Sequence, residues 1–142
     1  MMKISARNQF AGTVVAIKEG AVNGVVSIQL ECGKVIKADI TMEAIADLDL
    51  TEGQPAIAVV KATNVMFAAA DQPLHISARN IFEGTVTKVR KGAVNGSVAL
   101  TTECGITVCG SITNDAIEEL GLEEGVAAKA FVKSTDVLVA VD

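Results

Sequence analysis

The chain has 142 residues, 50% apolar and 20% charged, which is ample for a packed core and inconsistent with a disordered segment. A net charge of −5, no Trp, no Tyr and only four Phe remove both the phosphate-tracking charge and the stacking surface of a nucleic-acid binder. Three cysteines (Cys32, Cys104, Cys109) and one histidine (His75) give no zinc-type spacing, so no metal-cation site is expected. No apolar run reaches about 18 residues, and Met1-Met2-Lys3-Ile4-Ser5 opens no apolar signal segment, so the expectation is a cytoplasmic chain without a membrane partner.

Self-comparison finds one constant offset of 72 positions. Ser5-Ala6-Arg7-Asn8 recurs as Ser77-Ala78-Arg79-Asn80, Gly20-Ala21-Val22-Asn23-Gly24 as Gly92-Ala93-Val94-Asn95-Gly96, and Glu31-Cys32-Gly33 as Glu103-Cys104-Gly105. Ile40-Thr41 recurs as Ile112-Thr113, Glu52-Gly53 as Glu124-Gly125, and Val60-Lys61 as Val132-Lys133. Roughly half the aligned positions are identical without a gap, the mark of a duplicated domain rather than a short solenoid repeat. The expected limits are 1–70 and 75–142, joined by a linker over 71–74, where Pro73 sits beside polar residues.

Within the first copy, alternating or β-branched apolar stretches predict strands over Gly12–Ile17, Val25–Leu30, Val35–Ile40, Ala56–Ala62 and Val65–Ala68. Between the third and fourth, Met42 to Leu48 carries apolar residues at helical spacing, with Thr41 as N-cap, Glu43 in the first turn and Gly53 closing the following turn. The second copy repeats this helix from Asn114 to Leu120. The predicted fold class is mainly β: two five-stranded OB-like Greek-key barrels in tandem, each with one short helix, although spacing alone equally allows a small sandwich. A unit of roughly 70 residues buries little apolar surface, which favours pairing of the copies or further oligomerisation.

Catalytic signatures are missing: there is no Gly-x-Ser-x-Gly elbow, no P-loop and no Gly-x-Gly-x-x-Gly motif, and Glu118-Glu119 and Glu123-Glu124 read as a solvated helix end and turn. No enzyme is expected. What the duplication retained is a set suited to an anion: Ser5 and Ser77, Arg7 and Arg79, Thr41 and Thr113, Lys61 and Lys133. A tetrahedral dianion accepts hydrogen bonds on every oxygen and donates none, so it needs guanidinium, ammonium, hydroxyl and backbone N–H groups, and the free amides opening the short helix add to them. Each group also has an ordinary structural use. The threonines can cap helices, the arginines can form interdomain salt bridges, the lysines can snorkel from strands, and Asn-Gly can make a turn.

Taken together, Ser-Ala-Arg-Asn followed by Phe, Gly-Thr-Val, Gly-Ala-Val-Asn, Ile-Thr before a short helix, Leu-x-Leu-x-Glu-Gly and a late Val-Lys resemble the Mop domain, in its tandem di-Mop molbindin form, over nearly the whole of both repeats. The resemblance implies binding of molybdate, and of tungstate, for cytoplasmic storage, buffering or homeostasis, at sites between domains and subunits of a homotrimer. It implies oxyanion sites of a first kind built from Ser5, Arg7, Thr41, Lys61 and Ala62, and from Ser77, Arg79, Thr113, Lys133 and Ser134. A second kind, near the symmetry axis, would use the backbone of Gly20, Ala21, Val22 and Asn23 and of Gly92, Ala93, Val94 and Asn95. One departure is that some relatives place a serine where this chain has Ala44 and Ala116, which removes a hydroxyl. The competing expectation is a ligand-free interaction module whose charges hold subunits together.

Overall fold

The computed structural model describes residues 2–71 and 73–142. Ten strands and two α-helices follow in order: β1 (Asn8–Glu19), β2 (Asn23–Leu30), β3 (Val35–Thr41), α1 (Met42–Asp47), β4 (Pro55–Val60), β5 (Met66–Ala69), β6 (Asn80–Lys91), β7 (Asn95–Thr102), β8 (Thr107–Thr113), α2 (Asn114–Leu120), β9 (Ala127–Val132) and β10 (Leu138–Ala140). One-turn 3₁₀ segments, Ala62–Asn64 and Ser134–Asp136, precede β5 and β10.

The strands form two five-stranded antiparallel sheets, ordered β10-β4-β1-β2-β3 and β5-β9-β6-β7-β8. In each, three consecutive strands form a meander and the fourth returns to lie beside the first, which is Greek-key order. β1 serves both halves of its sheet: its first residues pair with β4 (Asn8↔Val60 to Thr13↔Pro55) and its later ones with β2 (Gly12↔Leu30 to Glu19↔Gly24). A register shift between Val14 and Ala16 supplies the bend this double duty requires, and β6 repeats it between Val86 and Lys88. The sheet curls until β3 meets β10 and the 134–136 turn, and β8 meets β5 and the 62–64 turn, so each unit is an OB-like barrel.

Alternation sends one face of each strand into the core. Val14, Val26, Ile28, Ile36, Ala38 and Ala58 are buried in the first barrel, and Val86, Val98, Leu100, Val108 and Ala130 in the second. The helices add buried Ile45 and fully buried Ile117, and burying such a side chain is worth about 1.5–3 kcal/mol.

The sequence reading differs from the structure at the ends of several elements. β1 begins earlier and ends later than the apolar run suggested, because its ladder takes in buried Asn8 and Phe10 at one end and exposed Lys18 and Glu19 at the other. β4 ends at Val60, so Lys61 and Ala62 are not strand residues; they open a 3₁₀ turn. The chain divides into two compact units, residues 1–60 with 133–142 and residues 61–132, each of which draws on both sequence copies. The last strand of each copy pairs with the fourth strand of the other copy, β10 on β4 and β5 on β9. Of the linker expected over 71–74, Asp71, Pro73 and Leu74 lie outside any element between β5 and β6, and Gln72 lies outside the described residues.

Candidate functional site

The charged candidates sit where strands end. In the first barrel, Asn8 is 2% exposed and its Nδ2 donates to the Val60 carbonyl at 3.2 Å, while Asn8 and Val60 are also ladder partners. Exposed Arg7 precedes Asn8, and exposed Lys61 follows Val60. The same arrangement recurs at buried Asn80, paired with Val132, with Arg79 before it and Lys133 after. Among the described residues, none of these four cations has a carboxylate partner; the ion pairs Lys91–Glu118 at 3.2 Å and Lys129–Glu83 at 3.8 Å use other groups. The arginines are therefore not spent on salt bridges within the described chain.

Ser5 and Ser77 are exposed and lie just ahead of β1 and β6. The segment carrying Ser5 is folded back by Gln9, whose Oε1 accepts from Met2 N–H at 3.1 Å and whose Nε2 donates to the Met2 carbonyl at 3.1 Å and the Ala6 carbonyl at 3.4 Å. Ile81 stands at the matching position of the second copy and has no side-chain amide.

Thr41 and Thr113 cap their helices: Oγ1 accepts from Ala44 N–H at 3.0 Å and from Ala116 N–H at 3.1 Å. A hydroxyl accepting in this way keeps its own proton, so each exposed threonine still has an O–H to donate. Ala44 and Ala116 take part through backbone amides only. The glycine-containing turns stand beside these caps, because Met42 N–H donates to the Val22 carbonyl and Asn114 N–H to the Val94 carbonyl, both at 2.8 Å. Among the described residues, the amides of Ala21, Val22, Ala93 and Val94 donate to no backbone acceptor. In the second copy the turn is further clamped by Gly92 N–H to the Asn95 carbonyl at 2.9 Å and by Asn114 Nδ2 to the Gly92 carbonyl at 2.9 Å.

Two groups of candidates thus form in each barrel. Ser5 and Arg7 lie at the β1 start, beside the end of β4, whereas Thr41 and the 20–23 turn lie at the helix end from which the chain returns to the start of β4. The two groups stand on different strand pairings: β1 begins against the end of β4 at Asn8↔Val60, whereas Thr41 pairs with Asn23 at the start of β2. The late lysines are exchanged as well: Lys61 and Ala62 belong to the barrel of Thr113, and Lys133 and Ser134 to that of Thr41. Sequence reasoning overlooked Asn8, Asn80, Gln9 and Asn114; the only available signal was two asparagines repeated at a strand start, where that residue type is disfavoured.

The architecture and the distribution of polar groups define a tandem pair of small OB-like binding barrels. The family model of the TOBE domain matches residues 4–67 and 76–139, and the chain belongs to that family. The likeness to Mop domains read from the sequence holds. A solved structure of the cytoplasmic molybdate-binding protein ModG, with molybdate bound, is 43% identical, has a TM-score of 0.95 and matches 99% of this chain and 100% of its own. The molybdenum transport protein ModE of Herbaspirillum seropedicae is 43% identical over 140 residues, 99% of this chain and 52% of that protein. The molybdenum-pterin-binding protein MopA of Rhodobacter capsulatus is 34% identical over 139 residues, 98% of this chain and 52% of that protein. The chain spans about half the length of these curated relatives. Among the described residues, no helix is long and apolar enough to cross a membrane.

Proposed function

We propose that this chain binds molybdate, and tungstate by the same chemistry, as a cytoplasmic store or buffer rather than as an enzyme. The observation that carries the reading is the repeated pair of unpartnered cations, Arg7 with Lys61 and Arg79 with Lys133, flanking a buried asparagine. The molybdate bound to the ModG neighbour at 43% identity supports it. Sites of the first kind would draw on Ser5, Arg7, Thr41, Lys61 and Ala62 and on Ser77, Arg79, Thr113, Lys133 and Ser134, contributed by different barrels and by further copies in a homotrimer. The placement of Arg7 beside the end of β4 and of Thr41 beside the start of β2 supports such sharing. Axis sites would use the amides of the 20–23 and 92–95 turns. Residues 1–70 and 75–142 remain the limits of the duplicated unit, with 71–74 as linker.

The test is isothermal titration of oxyanion-stripped protein with molybdate and, in parallel, sulfate. The expected result is molybdate uptake exceeding one ion per chain, with weak sulfate binding, and an affinity about tenfold lower in Arg79→Ala without loss of fold. No uptake by the unaltered protein, checked by equilibrium dialysis, would overturn the reading. A second reading, an interaction module without ligand, is favoured by the exposed apolar pairs Ile4/Ile76, Val22/Val94 and Met66/Leu138. It expects Arg79→Ala to split the oligomer in oxyanion-free buffer.

A further inference from the structure

The exchange of terminal strands demands a cause, because the simpler closure is available. If each copy closed on itself, β5 would fold back on β4 as a hairpin whose five-residue loop, 61–65, has ordinary length. The register would be Met66↔Val59, Phe67↔Ala58 and Ala68↔Ile57, which is the observed β10–β4 pairing moved by one repeat. The ladder partners are compatible with either closure: Phe67 faces Ala130 as observed and would face Ala58 otherwise. Main-chain hydrogen bonds therefore do not choose between them.

Side-chain size does. Phe67 is 8% exposed and lies over Gly110 in the middle of β8, where a Cβ would stand 2.3 Å from Phe67 Cε2 and 2.8 Å from Cζ. Atoms that close overlap, so a Cβ at this position would force the buried ring to shift. The equivalent of Gly110 in the first copy is Ala38, completely buried, which carries that Cβ. The equivalent of Phe67 in the second copy is Val139, a smaller side chain, which belongs to the barrel of Ala38. The large ring thus lies over glycine, and exchange puts the smaller Val139 in the barrel that carries Ala38. Direct closure would drive Phe67 onto the Ala38 methyl and leave a void between Val139 and Gly110.

We propose that the Phe67–Gly110 and Val139–Ala38 pairs form a steric code that selects exchanged closure of the two barrels. The β8 face at Gly110 is a docking surface whose occupant is the 61–69 segment, and the β3 face at Ala38 is one for 133–141. The code has a functional consequence. It decides that Lys61 and Ala62 enter the barrel of Thr113, and Lys133 and Ser134 that of Thr41, whatever ligand these groups hold.

Two experiments on the full chain test the code without reference to ligand. The first is disulfide trapping in a cysteine-free background, where Ala68→Cys pairs with either Lys129→Cys, its partner in the exchanged ladder, or Ile57→Cys, its partner in direct closure. Directly paired strand residues lie about 4.5–5.5 Å apart, within disulfide reach. The expected result is that 68–129 forms and 68–57 does not, and that transposing the code with Ala38→Gly and Gly110→Ala shifts crosslinking toward 68–57. Retention of 68–129 alone in the transposed chain would mean that connectivity, not side-chain size, selects the pairing, and would overturn the proposal.

The second experiment, thermal melting, stands even if the transposed chain fails to fold. Gly110→Ala is expected to lower Tm by about 5 °C or more, and adding Phe67→Val, which copies the Val–Ala pair of the other barrel, to recover most of the loss. Strictly additive losses for 67 and 110, or coupling of 67 to 38 instead, would equally overturn it.

Discussion

Asn8 reaches across 52 positions of sequence to donate from Nδ2 to the Val60 carbonyl at 3.2 Å, in a buried environment. The bond joins the residue after Arg7 to the residue before Lys61, so one buried amide fixes the strand ends from which two cations emerge. Preorganisation of this kind reduces the conformational freedom that binding would otherwise remove.

Replacing Asn8 with Ala removes that bond and is expected to reduce stability by about 1–2 kcal/mol in urea unfolding. Molybdate affinity should also fall severalfold, although Asn8 itself is buried away from solvent. Unchanged stability and affinity would show that the strand ends are held by the ladder alone.

Thr113 has two separable roles. Thr113→Val loses the cap on Ala116 N–H and is expected to cost about 1 kcal/mol, whereas Thr113→Ser keeps the accepting oxygen and stays near the parent. If the hydroxyl proton also serves the anion, titration should show weaker molybdate binding in the valine variant and near-parental binding in the serine variant. A valine variant that loses stability but keeps full affinity would confine the residue to capping.

Helix α2 ends on Gly121 in the left-handed region at φ 64°, and the matching residue after α1, Asp49, adopts φ 53°. An L side chain is strained there while glycine is not, so Asp49→Gly should stabilise the protein by about 0.5–1 kcal/mol. Gly121→Ala should destabilise it by a similar amount. Thermal melts of the two variants moving in opposite directions would verify the shared cap geometry.

At Gly84, where β6 passes from β9 to β7, a Cβ would stand 2.2 Å from the Thr101 carbonyl oxygen. The obstacle is backbone and has no rotamer to move, so Gly84→Ala is expected to cost about 3 kcal/mol or to prevent folding. A near-parental melting temperature would refute the close approach.

Much of the fold was legible because its signals are local. Apolar alternation located the strand cores, and Thr41 and Thr113 identified themselves as caps because an N-cap needs only its own side chain and the amide three residues on. The predicted helix Asn114–Leu120 matches α2 residue for residue, while α1 stops one residue earlier than expected, with Leu48 as its C-cap. The end of β4 was misjudged at Lys61 and Ala62 because β-branched and small residues continue past it, and the break into a 3₁₀ turn leaves no mark in hydrophobic period. The four candidate cations were found by their repetition. That Asn8 anchors a strand end, and that Asn80 is buried at the matching place, was not, since a buried asparagine and an exposed one look alike in a sequence.

The sequence by itself determined the duplication, the number and period of strands, the helix caps and the inventory of anion-seeking groups, all properties of residues near one another in the chain. Only the tertiary structure decided which of those groups share a barrel: it set Arg7 beside the end of β4 and Thr41 beside the start of β2, and sent each late lysine into the barrel of the other copy. The physical reason is that an edge strand's hydrogen bonds accept either partner, and the choice falls to non-local contacts such as Phe67 over Gly110, which no local pattern encodes.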